Sequence, residues 1–487
     1  MSQKTTRRSF LTKVSAAAAT VSGLDVDRRA LLHGSDSRSR WKDLPRLDGV
    51  LLDDDLAREQ MAVDFAGQLR RVPAAVLRPR STEDIVKIVR FANRSSLKLS
   101  MRGQGHSQYG YSLVDGGILV DSRPLSAVAL SGERTAHAQP GASWDDVTRT
   151  TLAHGLTPPA MGDTMTLSVG GILSAGGVSN SSHLFGGVVD NVEELDVVTG
   201  AGDLIKCSPT RDRELFEFAL AGMGQCGLIV GARLRLMPAP KWVVRRDLDY
   251  DDLKTFLADH RRLATEGGVE HLGAYAIREG EGRDWQFRIN IGKFGASPEV
   301  DFDDLQAGLR FKSQANPVSV SYADYLQREA ARNAALTAAL KNTPSRLLYI
   351  AMFVPGSVSG EFLARILATP SDTAGMTRCS LYVLPTRKVT RPMFVLPEED
   401  LAFTIFLLRR VPVAEESRYA EMVAVVRGLA DRTHGASGKV YPPYAPFFKR
   451  ADWQTHYGPD RWRRLVAAKR RFDPNDVLTP GTAMFAT

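Results

Sequence analysis

Apolar and polar positions alternate along this chain in two recognisable blocks, one early and one at the end, around a middle of weaker periodicity. Val72–Pro79 (VPAAVLRP) is an apolar run closed by proline, which predicts a strand. Ser81 then stands as an N-cap with an acid three positions on, and Ile85, Ile88, Val89 and Ala92 recur at i, i+3, i+4 and i+7. That spacing predicts a helix with one buried face. Leu97–Met101 and Gly117–Asp121 read as short strands entering and leaving a glycine-rich turn, so the passage is β-α-β into a loop. Trp144–Ala153 is helix-like and ends at the breaker Gly155–Pro159. Asn191–Thr199 and Asp203–Lys206 form a predicted hairpin about Gly200-Ala201-Gly202, followed by a helix over Glu214–Ala221 and a strand over Leu228–Leu236 that Pro238 and Pro240 stop.

In the middle, Trp285–Phe294 alternates like a half-buried strand, and Tyr322–Leu340 is helical with apolar and alanine positions on one side. Arg346–Val354, Cys379–Leu384 and Asp400–Leu408 are further strands and Ser417–Thr433 a helix, a mixture that predicts an α+β domain on a largely antiparallel sheet. The end of the sequence holds Lys439–Tyr444, a helix over Pro459–Arg471, and the turns Asp473-Pro474-Asn475 and Thr479-Pro480-Gly481. A tail with that many fixed turns is expected to dock on the body.

Length and composition narrow the class. At 487 residues the protein exceeds one ordinary core, so two or three domains are expected. Lys and Arg number 63 against 55 Asp and Glu, a modest excess of +8. Arg461–Arg464 and Lys469–Arg471 are short basic clusters, the second of which suits a solvated helix face, and with no concentrated stripe or recognition module a nucleic-acid partner is not expected. A basic pocket for an anionic cofactor is a more economical use of the charge. Cys207, Cys226 and Cys379 show neither CxxC spacing nor a matching His cluster, so no metal site is expected, and a disulfide among them stays open. Thr6–Lys13 (TRRSFLTK) looks like a twin-arginine export signal, and the apolar run Val14–Leu24 after it is too short to span a bilayer. The expectation is export to a periplasmic or extracellular space with no membrane span; the alternative is a plain basic terminus. Asp25–Asp55, charged and weakly periodic, reads as a tether.

The chemistry concentrates in three glycine-rich stretches. In Met101–Asp121 (MRGQGHSQYGYSLVDGGILVD), Gly103, Gly105 and Gly110 leave no Cβ in the way, so backbone N–H groups can converge on a pyrophosphate around His106 and Ser107. Taken alone, this is equally an ordinary turn with a polar histidine. In Gly162–Val178, paired glycines alternate with Val169, Ile172, Leu173 and Val178, which a flexible linker would not carry. That pattern predicts a backbone packed closely against a flat partner. Gly222–Gly227 (GMGQCG) fits G-x-G-x-x-G, but a helix precedes it and a strand follows. This reverses the order that brings a helix N-terminus to a pyrophosphate, so a Rossmann NAD site is rejected.

Together these pieces resemble the flavoprotein family of vanillyl-alcohol oxidase and, more closely, cytokinin dehydrogenase. The resemblance rests on R-G-Q-G-H-S at Arg102–Ser107, D-x-x-x-L-S-V-G-G-x-L-S at Asp163–Ser174, G-x-G-Q-x-G at Gly222–Gly227, K-x-Y at Lys439–Tyr441 and F-D-P-N-D-x-L-x-P-G at Phe472–Gly481. It implies an α+β fold in which a split PCMH-type FAD-binding domain, N-terminal half plus C-terminal tail, carries an inserted α+β substrate domain on an antiparallel sheet. The expected divisions are 1–40 for signal and tether, 41–243 and 439–487 for the FAD-binding parts, and 244–438 for the substrate domain.

The same resemblance implies FAD bonded covalently to His106, with Gly103, Gly105 and Ser107 at the pyrophosphate. Ser168, Ser174, Val178 and Ile229 fall at FAD-contacting positions, and Tyr441 and Thr482 fall near the isoalloxazine. Tyr111 and Thr482 both replace glutamines of the plant enzymes, so polar contacts to the flavin are expected to differ there. Asp163 is the implied catalytic base, taking the proton of the substrate's exocyclic amine while hydride leaves the adjacent carbon; apolar surroundings would make it more basic. As a bare sequence feature it is a turn or cap residue after Gly162. The partner glutamate of the plant enzymes has no equivalent: the register around Glu270–Ile277 puts Leu272 there, with Glu270 two positions away. The implied function is oxidation of an N6-isoprenoid adenine to an imine that hydrolyses to adenine and an aldehyde, with a quinone or oxygen as acceptor. An alcohol or sugar oxidase and an inactive flavin-binding module are the alternatives.

Overall fold

Ser81 caps its helix in the way its spacing predicts. In the computed structural model, which describes residues 40–486, its hydroxyl accepts from the Asp84 N–H and the Asp84 carboxylate accepts from the Ser81 N–H, both at 3.3 Å. The helix, Thr82–Arg94, buries Ile85, Ile88, Val89 and Ala92 against a four-stranded sheet. In that sheet Ala75–Arg78, Ile118–Asp121 and Leu99–Arg102 run parallel, and Val50–Leu52 adds an antiparallel edge. The described part of Asp25–Asp55 is therefore more than a tether: Leu51 is 1% exposed, and Trp41 packs 5.9 Å from the Phe91 ring. A few apolar residues suffice where a sheet edge and a helix already offer partners, which is why periodicity missed them. The twin-arginine stretch lies outside the described residues.

A second sheet of five antiparallel strands contains the predicted hairpin, Val192–Val198 with Leu204–Cys207, and the strand Leu228–Arg235. The middle of the protein forms a nine-stranded sheet in which every pairing is antiparallel. Its longer strands include Trp242–Tyr250, His271–Ile277, Gln286–Gly295, Ser345–Pro355, Arg378–Pro385 and Leu401–Pro412. The strand Trp242–Tyr250 is not marked by alternation because Arg245 and Asp247 on it line a cleft, beside Arg246 and Asp249, which blurs the apolar pattern. The expected single helix over Tyr322–Leu340 is two: Tyr322–Leu326 ends at Gln327, and Ala330–Asn342 follows with no buried residue. The alanine side faces no core, and the interruption leaves Arg328 between the two helices.

The tail docks as expected. The Leu99 N–H donates to the Val477 carbonyl and the Thr479 N–H to the Leu99 carbonyl, each at 2.8 Å. Asp473 holds the returning turn by accepting from Val477 N at 2.8 Å and Leu478 N at 2.9 Å, with Lys469 Nζ 2.6 Å away. Upstream, Lys439–Val440 joins the large sheet beside Met352 and Phe353, so the last segment ties both halves together. The predicted helix start at Pro459 is a kink, for Arg450–Phe472 is helical on either side of Gly458 (φ 73°, ψ 167°). All three cysteines are buried and free. Among the described residues no helix is long and apolar enough to cross a membrane, and no group of three or more His, Cys, Asp or Glu is placed to hold a metal.

Candidate active site

The strand Leu99–Arg102 delivers the glycine turn to the floor of a cleft of about 1080 Å³. Close approach dictates the glycines: a Cβ on Gly103 would lie 2.1 Å from Ser168 Oγ, and Gly105 has φ +75° with its Cβ direction filled by the Arg102 guanidinium. Arg102 is anchored by donating to the carbonyls of Met61 (3.1 Å) and Val63 (2.9 Å). His106 stacks on Phe65 with ring centroids 4.1 Å apart and planes 18° apart. Burial, assisted by the Arg102 cation, lowers its pKa to about 4, so at neutral pH the ring is an uncharged imidazole with a free lone pair.

Of the residues assigned to the cofactor from sequence, the cleft gathers Gly103, Gly105, His106, Ser107, Tyr111, Ser168, Ser174 and Tyr441 along its wall. Asp163, assigned to the cofactor as well as to catalysis, does not line it, nor do Val178, Ile229 and Thr482. Ile229 is 1% exposed within its strand, and the Thr482 hydroxyl accepts from Gln225 Nε2 at 3.0 Å, bracing the tail from behind. Tyr111 lines the cleft, but its hydroxyl donates to Ala445 O at 2.5 Å and accepts from Phe448 N at 3.3 Å, which turns its polar end towards the tail. The Tyr441 hydroxyl accepts from Gly177 N at 2.7 Å. Gly222–Gly227, rejected as a dinucleotide fingerprint, still contributes Met223, Gly224 and Gly227 to the wall. Ser112, Leu167 and Tyr444 also line it. Proximity of Ser112 and Tyr444 to the quoted motifs was the available signal.

These residues fit an FAD. The cleft presents a turn with no side chains at its points of closest approach, the kind of backbone cradle a pyrophosphate requires. Ser112 Oγ is buried on its wall with no partner in the protein, as expected of a group whose partner is a cofactor.

Asp163 lies in a smaller pocket of about 340 Å³ that Gly162 also lines; Ile172, on the wall of the first cleft, has its Cδ1 3.5 Å from where a Gly162 Cβ would sit. Apolar surroundings were expected for the carboxylate, and they are not what it has. It forms an ion pair with Arg328 and accepts from Asn180 Nδ2 at 2.9 Å and Tyr382 Oη at 3.1 Å. Burial raises the Tyr382 phenol far above its ordinary pKa, so it acts as a donor. Phe294, Tyr322 and Tyr325 form the aromatic wall, with Phe294 edge-on to both tyrosines at 5.5 and 5.2 Å. Neither candidate for a second carboxylate position reaches this site: Leu272 is 2% exposed on the core side of its strand, and Glu270 is taken by Lys293 at 3.2 Å and Phe294 N at 3.0 Å. Arg328, Asn180 and Tyr382 are the polar neighbours that sequence reading missed. They converge from three separated segments, and no local pattern marks them.

The comparisons with known proteins agree with this geometry. Residues 73–208 match the family model described as FAD binding domain, and residues 296–485 match cytokinin dehydrogenase 1, FAD and cytokinin binding. The protein is 32% identical over 446 residues to an uncharacterized oxidoreductase, ORF5 in the fasciation locus, of Rhodococcoides fascians, covering 90% of this sequence and 99% of that protein. It is 30% identical over 486 residues to cytokinin dehydrogenase 4 of Oryza sativa subsp. japonica, covering 90% of each. Among solved structures, a xylooligosaccharide oxidase from Myceliophthora thermophila C1 superposes with a TM-score of 0.69 at 21% identity, over 86% of this protein and 93% of the other. Fold and cleft thus define a PCMH-type, FAD-dependent oxidoreductase. Within that class, the protein belongs to the cytokinin dehydrogenase family.

Proposed function

We propose that this protein oxidises the exocyclic C–N bond of an N6-isoprenoid adenine, and that Asp163 is the base. The observation that carries the reading is the position of Asp163: a carboxylate in an aromatic pocket, next to Gly162, whose Cβ direction meets Ile172 of the FAD-cleft wall. A carboxylate offers about four lone-pair positions, and Arg328, Asn180 and Tyr382 occupy three. The fourth is available to the N–H of a secondary amine, whose proton Asp163 takes. The rings of Phe294, Tyr322 and Tyr325 suit the flat face of a purine. An FAD held by Gly103, Gly105, His106 and Ser107 would supply the hydride acceptor for the adjacent carbon; the imine so formed would take up water and separate into adenine and an aldehyde. A quinone or oxygen then removes the electrons. The neutral imidazole of His106 has the lone pair that covalent attachment of the flavin requires. The twin-arginine-like start supports export of the folded protein.

Anaerobic mixing of the holoenzyme with N6-isopentenyladenine tests this reading, with alcohols and sugars alongside. Bleaching of the flavin by the adenine compound alone is expected; bleaching only by an alcohol or sugar would transfer the assignment to them. His106→Ala should retain flavin that acid precipitation releases into the supernatant, whereas the unmodified protein keeps it in the pellet.

A further inference from the structure

Beyond Arg328 lies a second cleft, of about 970 Å³, on the polar face of the nine-stranded sheet. The period of two sets its lining: the registers place Asp247 opposite Asn290, Tyr275 opposite Arg288 and Ile277 opposite Arg378, all on the same side. Four arginines (245, 288, 328 and 378) stand there against two carboxylates, Asp247 and Glu329. The carboxylates are already matched. Asp247 is 3.3 Å from Arg288, which also meets Asp249 at 2.7 Å, and Glu329 pairs with Arg332 at 2.6 Å. Arg328 is engaged with Asp163.

Arg245 and Arg378 have no carboxylate within ion-pair distance among the described residues. They rest instead on aromatic rings, Arg378 at 3.8 Å from the Tyr275 centroid and Arg245 at 5.8 Å from that of Tyr325. The Nε atoms of Arg245, Arg328 and Arg378 are all buried without a hydrogen-bond partner, and the Arg328 side chain is only 10% exposed. Buried guanidinium N–H groups left unpaired are costly, and the planar fork they form matches an oxyanion. Arg328 lines both this cleft and the Asp163 pocket, which makes the two neighbours.

We infer that this cleft is an oxyanion subsite, and that the substrate whose amine meets Asp163 carries a phosphate that Arg245 and Arg378 receive. The substrate class is then an N6-substituted adenosine phosphate rather than the free base alone. This inference rests on the reading of Asp163 as the reacting site.

The test compares N6-isopentenyladenine, its riboside and the riboside 5′-monophosphate on the holoenzyme, by flavin bleaching and by calorimetric binding, with inorganic phosphate as the free-anion probe. The monophosphate is expected to bind about tenfold or more tightly than the riboside, as charge-assisted bonds to an oxyanion allow, and Arg245→Gln with Arg378→Gln should abolish that preference. Equal binding of riboside and monophosphate, with the base still bleaching the flavin, overturns the subsite and leaves the proposed function standing. If inorganic phosphate alone binds as tightly as the monophosphate, the cleft serves a free anion and the inference about the substrate fails. If none of the three bleaches the flavin, the proposed function fails; an arginine-dependent preference for the monophosphate in calorimetry would still support the subsite.

Discussion

The cofactor cleft and the Asp163 pocket are built by opposite means. The cleft is made chiefly of backbone: Gly103 and Gly105 approach because they lack side chains, and Ser168, Ser174 and Gly224 sit at the ends or turns of short elements. The pocket is made of side chains drawn from distant parts of the sequence, with Asn180, Arg328 and Tyr382 holding one carboxylate. A backbone cradle tolerates little because any Cβ collides. A cluster of side chains can be retuned one residue at a time, so the cofactor is the fixed part of this design and the substrate the adjustable one.

The sharpest way to break this comparison is Asp163→Asn. It should lower turnover by about 10²–10⁴-fold, the usual contribution of a general base, while the flavin absorbance stays at the unmodified level. Equal turnover would remove Asp163 from catalysis. Next in size, Lys469→Met strands the carboxylate of Asp473, which is 0% exposed, and should lower stability by about 3 kcal/mol in urea unfolding. Flavin should be lost as well, because the tail wall depends on that turn. Gly105→Ala, at φ +75°, should cost about 1–2 kcal/mol and reduce the ratio of flavin to protein, with the substrate pocket unaffected.

On the substrate side, Tyr382→Phe removes one donor to Asp163 and should cost about 1 kcal/mol, roughly a fivefold fall in kcat/KM with flavin content unchanged. The smallest effect at neutral pH concerns two buried histidines, His106 in the cofactor cleft and His260 on the helix Leu253–Glu266. His106 is lowered to about 4 and His260 to about 3, in both cases chiefly by burial. The unfolded protein binds these protons first, so stability is full above about pH 6.5 and falls as pH drops towards 4 and 3. Thermal unfolding between pH 7 and 4 should show that slope, and His260→Leu should flatten it.

Much of the cofactor side was legible because its signals are local. A capping box, a glycine turn and a docked tail announce themselves within a few residues, and Ser81, Gly103 and Asp473 occupy the places their neighbours imply. What the neighbours do not announce there is orientation: Tyr111 stays in the wall but turns its hydroxyl to Ala445, and Thr482 braces Gln225. The substrate side was legible only in outline. Its strands alternate, yet the helix predicted across Gln327–Glu329 is broken, and that break places Arg328 beside Asp163.

By itself, the order of residues determined the glycine turn that needs no Cβ and the strand periods of the inserted region. These follow from sterics and from alternation between neighbours, which a single segment already expresses. Only the tertiary structure decided that Asp163 meets an arginine in place of a second carboxylate, and that four arginines share one cleft. Ion pairs and shared clefts depend on distances between segments more than a hundred residues apart, and packing alone sets those distances.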